Sequence, residues 1–186
     1  MKMKRKGIMI CGLNGAGKST LGKWLAERTN AEWLDNEMLY FENADSYQEP
    51  CTAKVAQERL HARLADSNVP FVYCAVDNED PVLIDHLLGI VYVGIDHTVS
   101  QERIRQRSAA RFSTRLQKDE ALRKSEERFF ESVKRKDPVR MEQWARKMEM
   151  AGMPVLFLDG TAPLSISQDR IETFWKKLFF VKKAEK

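Results

Sequence analysis

Short apolar runs alternate along this chain with longer segments whose apolar residues recur every three or four positions. Unbroken apolar runs mark strands covered on both faces, and the wider spacing marks helices with one buried side. The runs predict five strands, at 7–11, at 32–34 closing on Asp35, at 70–76 closing on Asp77, at 89–95 and at 154–158. Helices are predicted over about 18–28 and about 50–65, the second with Ala53, Ala56, Leu60 and Leu64 on one side. Thr98-Val99-Ser100-Gln101 has the spacing of a capping box and predicts a helix start. A helix is predicted over about 116–136, its charges of mixed sign reading as a solvated face, and Asp137-Pro138 breaks it. Met141, Trp144, Ala145 and Met148 predict the inner face of the next helix, and Ile171, Phe174, Trp175 and Leu178 that of the last. Strands alternating with helices predict an α/β domain with a parallel sheet and helices on both faces. Ligands of such sheets bind beyond the C-terminal strand ends. Asp35, Asp77, Asp96 and Asp159-Gly160-Thr161 are the polar residues there, beside a loop after the first strand.

That loop is Gly12-Leu13-Asn14-Gly15-Ala16-Gly17-Lys18-Ser19, followed by Thr20. It fits G-x-x-x-x-G-K-[ST], and it lies between a predicted strand and a predicted helix, the setting a phosphate-binding P-loop requires. Glycines let the backbone curl so that successive N–H groups face an anion, and the positive end of the helix adds to that field. Lys18 is the candidate charge for the β- and γ-phosphates of ATP, and the Ser19 hydroxyl is the candidate ligand of Mg²⁺ bridging them.

Composition narrows the class. The chain has 186 residues, 43% hydrophobic and 31% charged, enough for one well-buried domain over 1–186. No apolar run approaches the roughly 20 residues of a membrane span. The basic start, Met1-Lys2-Met3-Lys4-Arg5-Lys6, leads into an apolar run shorter than that of a signal peptide, so a cytoplasmic protein is expected. Cys11, Cys51 and Cys74 lack metal spacing, and no disulfide is expected. His61, His86 and His97 also lack it and read as surface or partly buried residues. Net charge is +4, but residues 101–147 hold 15 Lys and Arg against 8 Asp and Glu. Between Arg28 and Lys54 there is no Lys or Arg, while Glu32, Asp35, Glu37, Glu42, Asp45 and Glu49 are present.

With these motifs in order, the chain resembles the adenylate-kinase-like branch of P-loop phosphotransferases, which includes nucleoside monophosphate kinases, shikimate kinase and gluconate kinase. The resemblance covers most of the chain. It rests on the P-loop, the acids closing the second and third strands, the arginine-rich segment after the fourth, and Leu158-Asp159-Gly160-Thr161 after the fifth. It implies a three-layer α/β/α P-loop NTPase fold with a five-stranded parallel sheet. It also implies a small acceptor lobe over about 36–66 and a lid over about 103–125. In the family, arginines four apart lead into a lid that closes over ATP, and Arg103, Arg107, Arg111 and Arg115 keep that spacing. Arg107 and Arg111 are the expected contacts to the transferring phosphoryl group, with Arg103 on the nucleotide. Asp35 matches the acid that binds or deprotonates the acceptor hydroxyl, with Glu37 as the alternative. Asp77 matches the second magnesium-associated acid, with Asp80 and Asp85 as competitors. Gly160 and Thr161 match the loop that contacts adenine.

The chain departs from the family where an acceptor phosphate would be held. Thr29 to Ala53 contains six acids and no Lys or Arg, residues 77–86 contain four acids and no Lys or Arg, and the family's Gly-Phe-Pro-Arg segment is missing. A phosphate dianion buried beside uncompensated carboxylates is strongly disfavoured. The sequence therefore points to an ATP- and Mg²⁺-dependent kinase acting on the hydroxyl of a neutral or amine-bearing small molecule. The alternatives are a nucleoside monophosphate kinase and a regulatory P-loop ATPase without a small acceptor. Nucleic acid is not the expected partner, because the basic region lacks the aromatic interleaving of single-strand binders. No membrane partner is expected, and monomer and dimer remain equally open.

Overall fold

The structure, a computed structural model, describes residues 6–41, 50–66 and 68–180. Glu42, Asp45 and Glu49 of the acidic lobe and the basic start through Arg5 lie outside the described residues. The chain runs β1 (Gly7–Cys11), α1 (Lys18–Thr29), β2 (Glu32–Asp35), α2 (Asn36–Tyr40), α3 (Ala53–Asp66), β3 (Phe71–Cys74), α4 (Pro81–His86), β4 (Leu87–Gly94), α5 (His97–Phe112), α6 (Arg115–Lys118), α7 (Glu120–Lys134), α8 (Pro138–Met150), β5 (Val155–Asp159) and α9 (Leu164–Phe180). The five strands form one parallel sheet in the order β2-β3-β1-β4-β5. β1 is central, so the loop that follows it opens at the middle of the sheet's C-terminal edge.

Strand alternation divides the core between two faces. Ile8, Ile10, Val72, Cys74, Val91 and Val93 pack with Leu21 and Leu25 of α1 and Ile171 and Trp175 of α9. Met9, Cys11, Phe71, Tyr73, Ile90 and Tyr92 pack with Leu60 and Leu64 of α3 and Met141 and Ala145 of α8. Each such aliphatic side chain removed from water contributes about 1.5–3 kcal/mol, so both faces hold the loop ends in fixed register. The expected three-layer α/β/α arrangement is what folds.

Local expectations change at five places. The third strand is Phe71–Cys74, with bonds to β1 running on from Ala75 N–H to Ile10 O and from Gly12 N–H to Val76 O; Asp77 lies beyond the strand and does not close it. The helix expected from the Thr98 capping box starts at His97, because the Asp96 carboxylate accepts the N–H groups of Thr98 and Val99 at 2.8 and 3.2 Å. The single charged helix over 116–136 is two, α6 and α7, since Asp119 leaves the helical conformation and caps Leu122 N–H at 3.0 Å. No helix was expected between the third and fourth strands, but Asp80 caps Val82 N–H at 2.8 Å and Pro81 fills the first helical position, giving α4. His86, expected at the surface or partly buried, is buried at the end of α4.

Candidate active site

The loop after β1 is shaped by glycines at positions no other residue fits. Gly12 has φ +137°, and a Cβ there would lie 2.3 Å from the Val93 carbonyl oxygen. Gly15 has φ +77°, and a Cβ there would lie 2.9 Å from the Ser100 carbonyl oxygen. The loop is tied to the sheet by Gly12 N–H on Val76 O at 3.0 Å, and it is closed by Ala16 N–H on Leu13 O at 3.3 Å. α1 starts at Lys18 with no acid in its first turn, so the positive end of its dipole is uncompensated by its own sequence. Lys18 is 8% exposed, and its Nζ donates to Leu13 O at 2.7 Å. Burial pushes the ammonium down to about 8; the nearby Lys136 charge adds to this, while Cys74 and Asp35 oppose it.

Ser19 Oγ donates to Asp35 Oδ2 at 2.5 Å, and Asp35 Oδ1 accepts Glu37 N–H at 3.0 Å. Asp35 therefore caps α2 and at the same time faces the P-loop serine. These residues open on a cavity of about 590 Å³. Asn14, Gly15, Gly17, Lys18, Ser19, Thr20, Asp35, Glu37, Arg107 and Arg111 line it together. The paired hydroxyl and carboxylate are hard oxygen donors of the kind Mg²⁺ takes, usually one or two from protein with the rest from water and phosphate.

Several expected residues lie elsewhere. Gly12 and Ala16 belong to the loop frame and do not line the cavity, Ala16 being buried. Arg103 turns to the backbone: its Nη1 donates to Gly160 O at 2.8 Å and Gly15 O at 3.3 Å, tying the loop after β5 to the P-loop. Thr161 is held by Asp159, whose Oδ1 accepts its N–H at 2.8 Å and its hydroxyl at 2.7 Å. Arg115 leaves the arginine stripe because α5 ends at Phe112 and Ser113 takes φ 38°. Asp77 does not line the cavity of Ser19; with β3 ending early it lines an adjoining cavity of about 340 Å³.

That second cavity shares Asn36, Tyr40, Val76 and Lys136 with the first. Asp80 there accepts from Gln57 Nε2 at 2.8 Å and lies 2.6 Å from His61 Nε2. Burial works to raise the Asp80 pKa, but the bonds from Gln57, His61 and Val82 N–H outweigh it and hold the carboxyl below its ordinary value. A second chain runs from Asn78 Nδ2 to Tyr73 OH at 3.0 Å and from that hydroxyl to Asn36 Oδ1 at 2.7 Å. The recess thus offers carboxylates, amides and one lysine over a floor of Leu39, Ala56 and Leu60.

The largest omission of the sequence reading is α7. Read as a solvated face, its inner side instead lines the main cavity with Ser125, Glu126, Phe129 and Ser132. Glu126 Oε2 accepts the buried Ser108 hydroxyl at 2.6 Å, joining α7 to α5. Lys136, just beyond α7, donates to Asn14 Oδ1 at 2.8 Å. The spacing of 125, 129, 132 and 136 was the available signal, obscured by the charges around it.

Comparison with family models and with curated proteins finds no match for this sequence. Solved structures do match. A gluconokinase from Sinorhizobium meliloti is 17% identical, with 98% of each chain covered and a TM-score of 0.58. A protein from Chloroflexus aurantiacus, provisionally assigned as a kinase, is 16% identical over 95% of this chain and 100% of its own, with a TM-score of 0.61. A sugar kinase from a Janibacter species is 16% identical over 92% and 95%, with a TM-score of 0.51. At these identities the likeness is one of fold, and it extends over nearly the whole chain: the fold is that of P-loop kinases.

Proposed function

We propose that this protein transfers the γ-phosphoryl group of ATP to a hydroxyl of a small molecule. The observation that carries the reading is the join between the two cavities. One holds the P-loop with Lys18, Ser19 and Asp35; the other is polar, acid-lined and reached past Lys136. Its 340 Å³ lies at the small end of ligand pockets, which run ~300–1,000 Å³. Kinase neighbours of the same fold add support.

The P-loop N–H groups and Lys18 bind the phosphates, and Arg107 and Arg111 stabilise the charge that spreads over the phosphoryl oxygens during transfer. Ser19 and Asp35 fit a magnesium ion, which would neutralise charge between the β- and γ-phosphates. Asp35 takes the metal-side role the sequence assigned to Asp77, because it is Asp35 that meets the Ser19 hydroxyl. Asp35 also orients the acceptor hydroxyl, with Glu37 beside it in the same cavity. Arg103 supports the nucleotide site from outside the cavity by tying the loop of Gly160 and Thr161 to the P-loop, and that loop is the candidate contact to the nucleotide base. Residues 36–66 serve as the acceptor lobe and about 103–125, extended here through α7, as the lid. A lid excludes water and so limits hydrolysis.

Asp77 and Asp80 in the acceptor recess disfavour a nucleoside monophosphate and favour a hydroxylated acceptor that is neutral or bears an amine. The test is Mg-ATP turnover against separate pools of sugars and sugar acids, amino sugars, nucleosides and nucleoside monophosphates. ADP release stimulated by a sugar or amino-sugar pool is expected. In the same assay Asp35→Asn should lower turnover by about a hundredfold or more with ATP affinity nearly intact. Stimulation by a nucleoside monophosphate alone would overturn the acceptor class, and ATP hydrolysis indifferent to every pool would overturn the transfer reading.

A further inference from the structure

Lys136 occupies a short connection whose backbone is fixed on both sides. Its own N–H bonds to Val133 O at 3.1 Å, closing the end of α7. The next residue, Asp137, caps α8 through Val139 N–H at 2.9 Å, with Pro138 at the first helical position. The side chain is therefore aimed by two helix ends. It crosses to the P-loop, where its ammonium donates to Asn14 Oδ1 at 2.8 Å. The target is equally fixed, since the Asn14 carbonyl accepts the hydroxyl of Ser100, a fully buried residue, at 2.7 Å.

Of the residues that line both cavities, Lys136 alone carries a charge; Asn36, Tyr40 and Val76 are neutral. A phosphoryl group passing from one cavity to the other must pass this junction. Both lysines of the site are poorly compensated there. Burial lowers the pKa of Lys136, opposed by Asp77, and the buried Lys18 ammonium donates to a neutral carbonyl oxygen, Leu13 O. An anion between two such ammonium groups relieves both. Asn14 offers Lys136 a neutral amide oxygen, and exchange of that partner for a phosphoryl oxygen turns a neutral-acceptor bond into a charge-assisted one.

We infer that Lys136 is a second cationic contact to the terminal phosphoryl group of ATP, on the acceptor side of the site and opposite Lys18. The inference rests on the ATP reading above. The competing role is a brace that holds α7 and α8 against the P-loop through Asn14. The two roles separate cleanly, because a brace supports ATP and ADP alike, whereas a contact to the terminal phosphoryl group serves only the triphosphate.

The experiment is equilibrium binding of Mg-ADP and of a non-hydrolysable Mg-ATP analogue to the wild type, Lys136→Met and Lys136→Arg. Thermal unfolding of each protein establishes that it is folded. Lys136→Met keeps the length of the stem and removes the charge. It is expected to weaken the triphosphate analogue by about tenfold or more, as for loss of a charged hydrogen bond, and ADP by less than threefold. Lys136→Arg should restore most of the difference. Equal weakening of both nucleotides would establish the brace and overturn the inference, as would no weakening of either. Wild-type protein that binds neither nucleotide would sink the ATP reading and this inference with it, a pattern distinct from the other two.

Discussion

Lys18 is the residue whose environment says most about the chemistry. The P-loop motif identified it, but sequence could not reveal how deeply the ammonium is buried or that its partner is a carbonyl oxygen, Leu13 O. Burial lowers its pKa from the ordinary 10.5 to about 8. Phosphates bind the ammonium form and raise its pKa, so the free protein loses the proton first as pH rises. If the site takes ATP as proposed, its affinity should be constant below about pH 8 and fall above it, by up to tenfold per pH unit. The stability of the nucleotide-free protein moves the other way. The unfolded chain keeps the Lys18 proton to higher pH than the folded one, so the cost of burying the charge is relieved between about 8 and 10.5. Lys18→Arg, whose guanidinium stays charged, should flatten the affinity profile. Calorimetric titration of Mg-ATP from pH 7 to 9.5 checks this; a wild-type profile as flat as that of Lys18→Arg would refute it.

At the scale of elements, strands were more legible than helix ends. Ile8 and Ile10 against Met9 and Cys11 mark a strand buried on both faces whatever surrounds it, and β1 forms as read. Helix boundaries instead turned on single aspartates competing for backbone N–H groups, at Asp35, Asp80, Asp96 and Asp119. An aspartate within a charged run looks the same whether it caps a helix or faces water, which is why 116–136 read as one solvated helix. Its outer face does carry surface pairs such as Lys124–Glu120 at 2.8 Å, each worth little. Its inner face lines the site. The Asp119 cap sets where α7 begins, and losing it should cost about 1 kcal/mol locally. Asp119→Ala should therefore speed amide exchange about fivefold along α7 while leaving β1 and β4 unchanged, since local opening of one element need not reach the sheet. Uniform acceleration through the sheet would show that α7 is not a separately opening unit.

For the whole molecule, the order of motifs along the chain was enough to predict a parallel sheet and the edge where ligands bind, but the central place of β1 in that sheet came only with the fold. It could not show that residues 122 positions apart, Asn14 and Lys136, would meet. Nor could it show that Asp77 would line the adjoining cavity and not that of Ser19, because those facts depend on how the helices after the strands fold back. The basic surplus of 101–147 gains its meaning only from that folding, with Arg107, Arg111 and Lys136 converging on the cavity that also holds Lys18. Four cations collected around one cavity repel each other and stabilise whatever anion lies among them. Nucleotide should thus stabilise the folded chain as a unit. At Mg-ATP about 100 times its Kd, linkage adds roughly 2.7 kcal/mol to unfolding, which raises Tm by about 5–10 °C for a domain of this size. Lys18→Ala, tested at the same nucleotide concentration, should lose nearly all of that rise. A rise of equal size in the variant would mean that the nucleotide binds somewhere other than the P-loop, and the assignment of the cavity would fail with it.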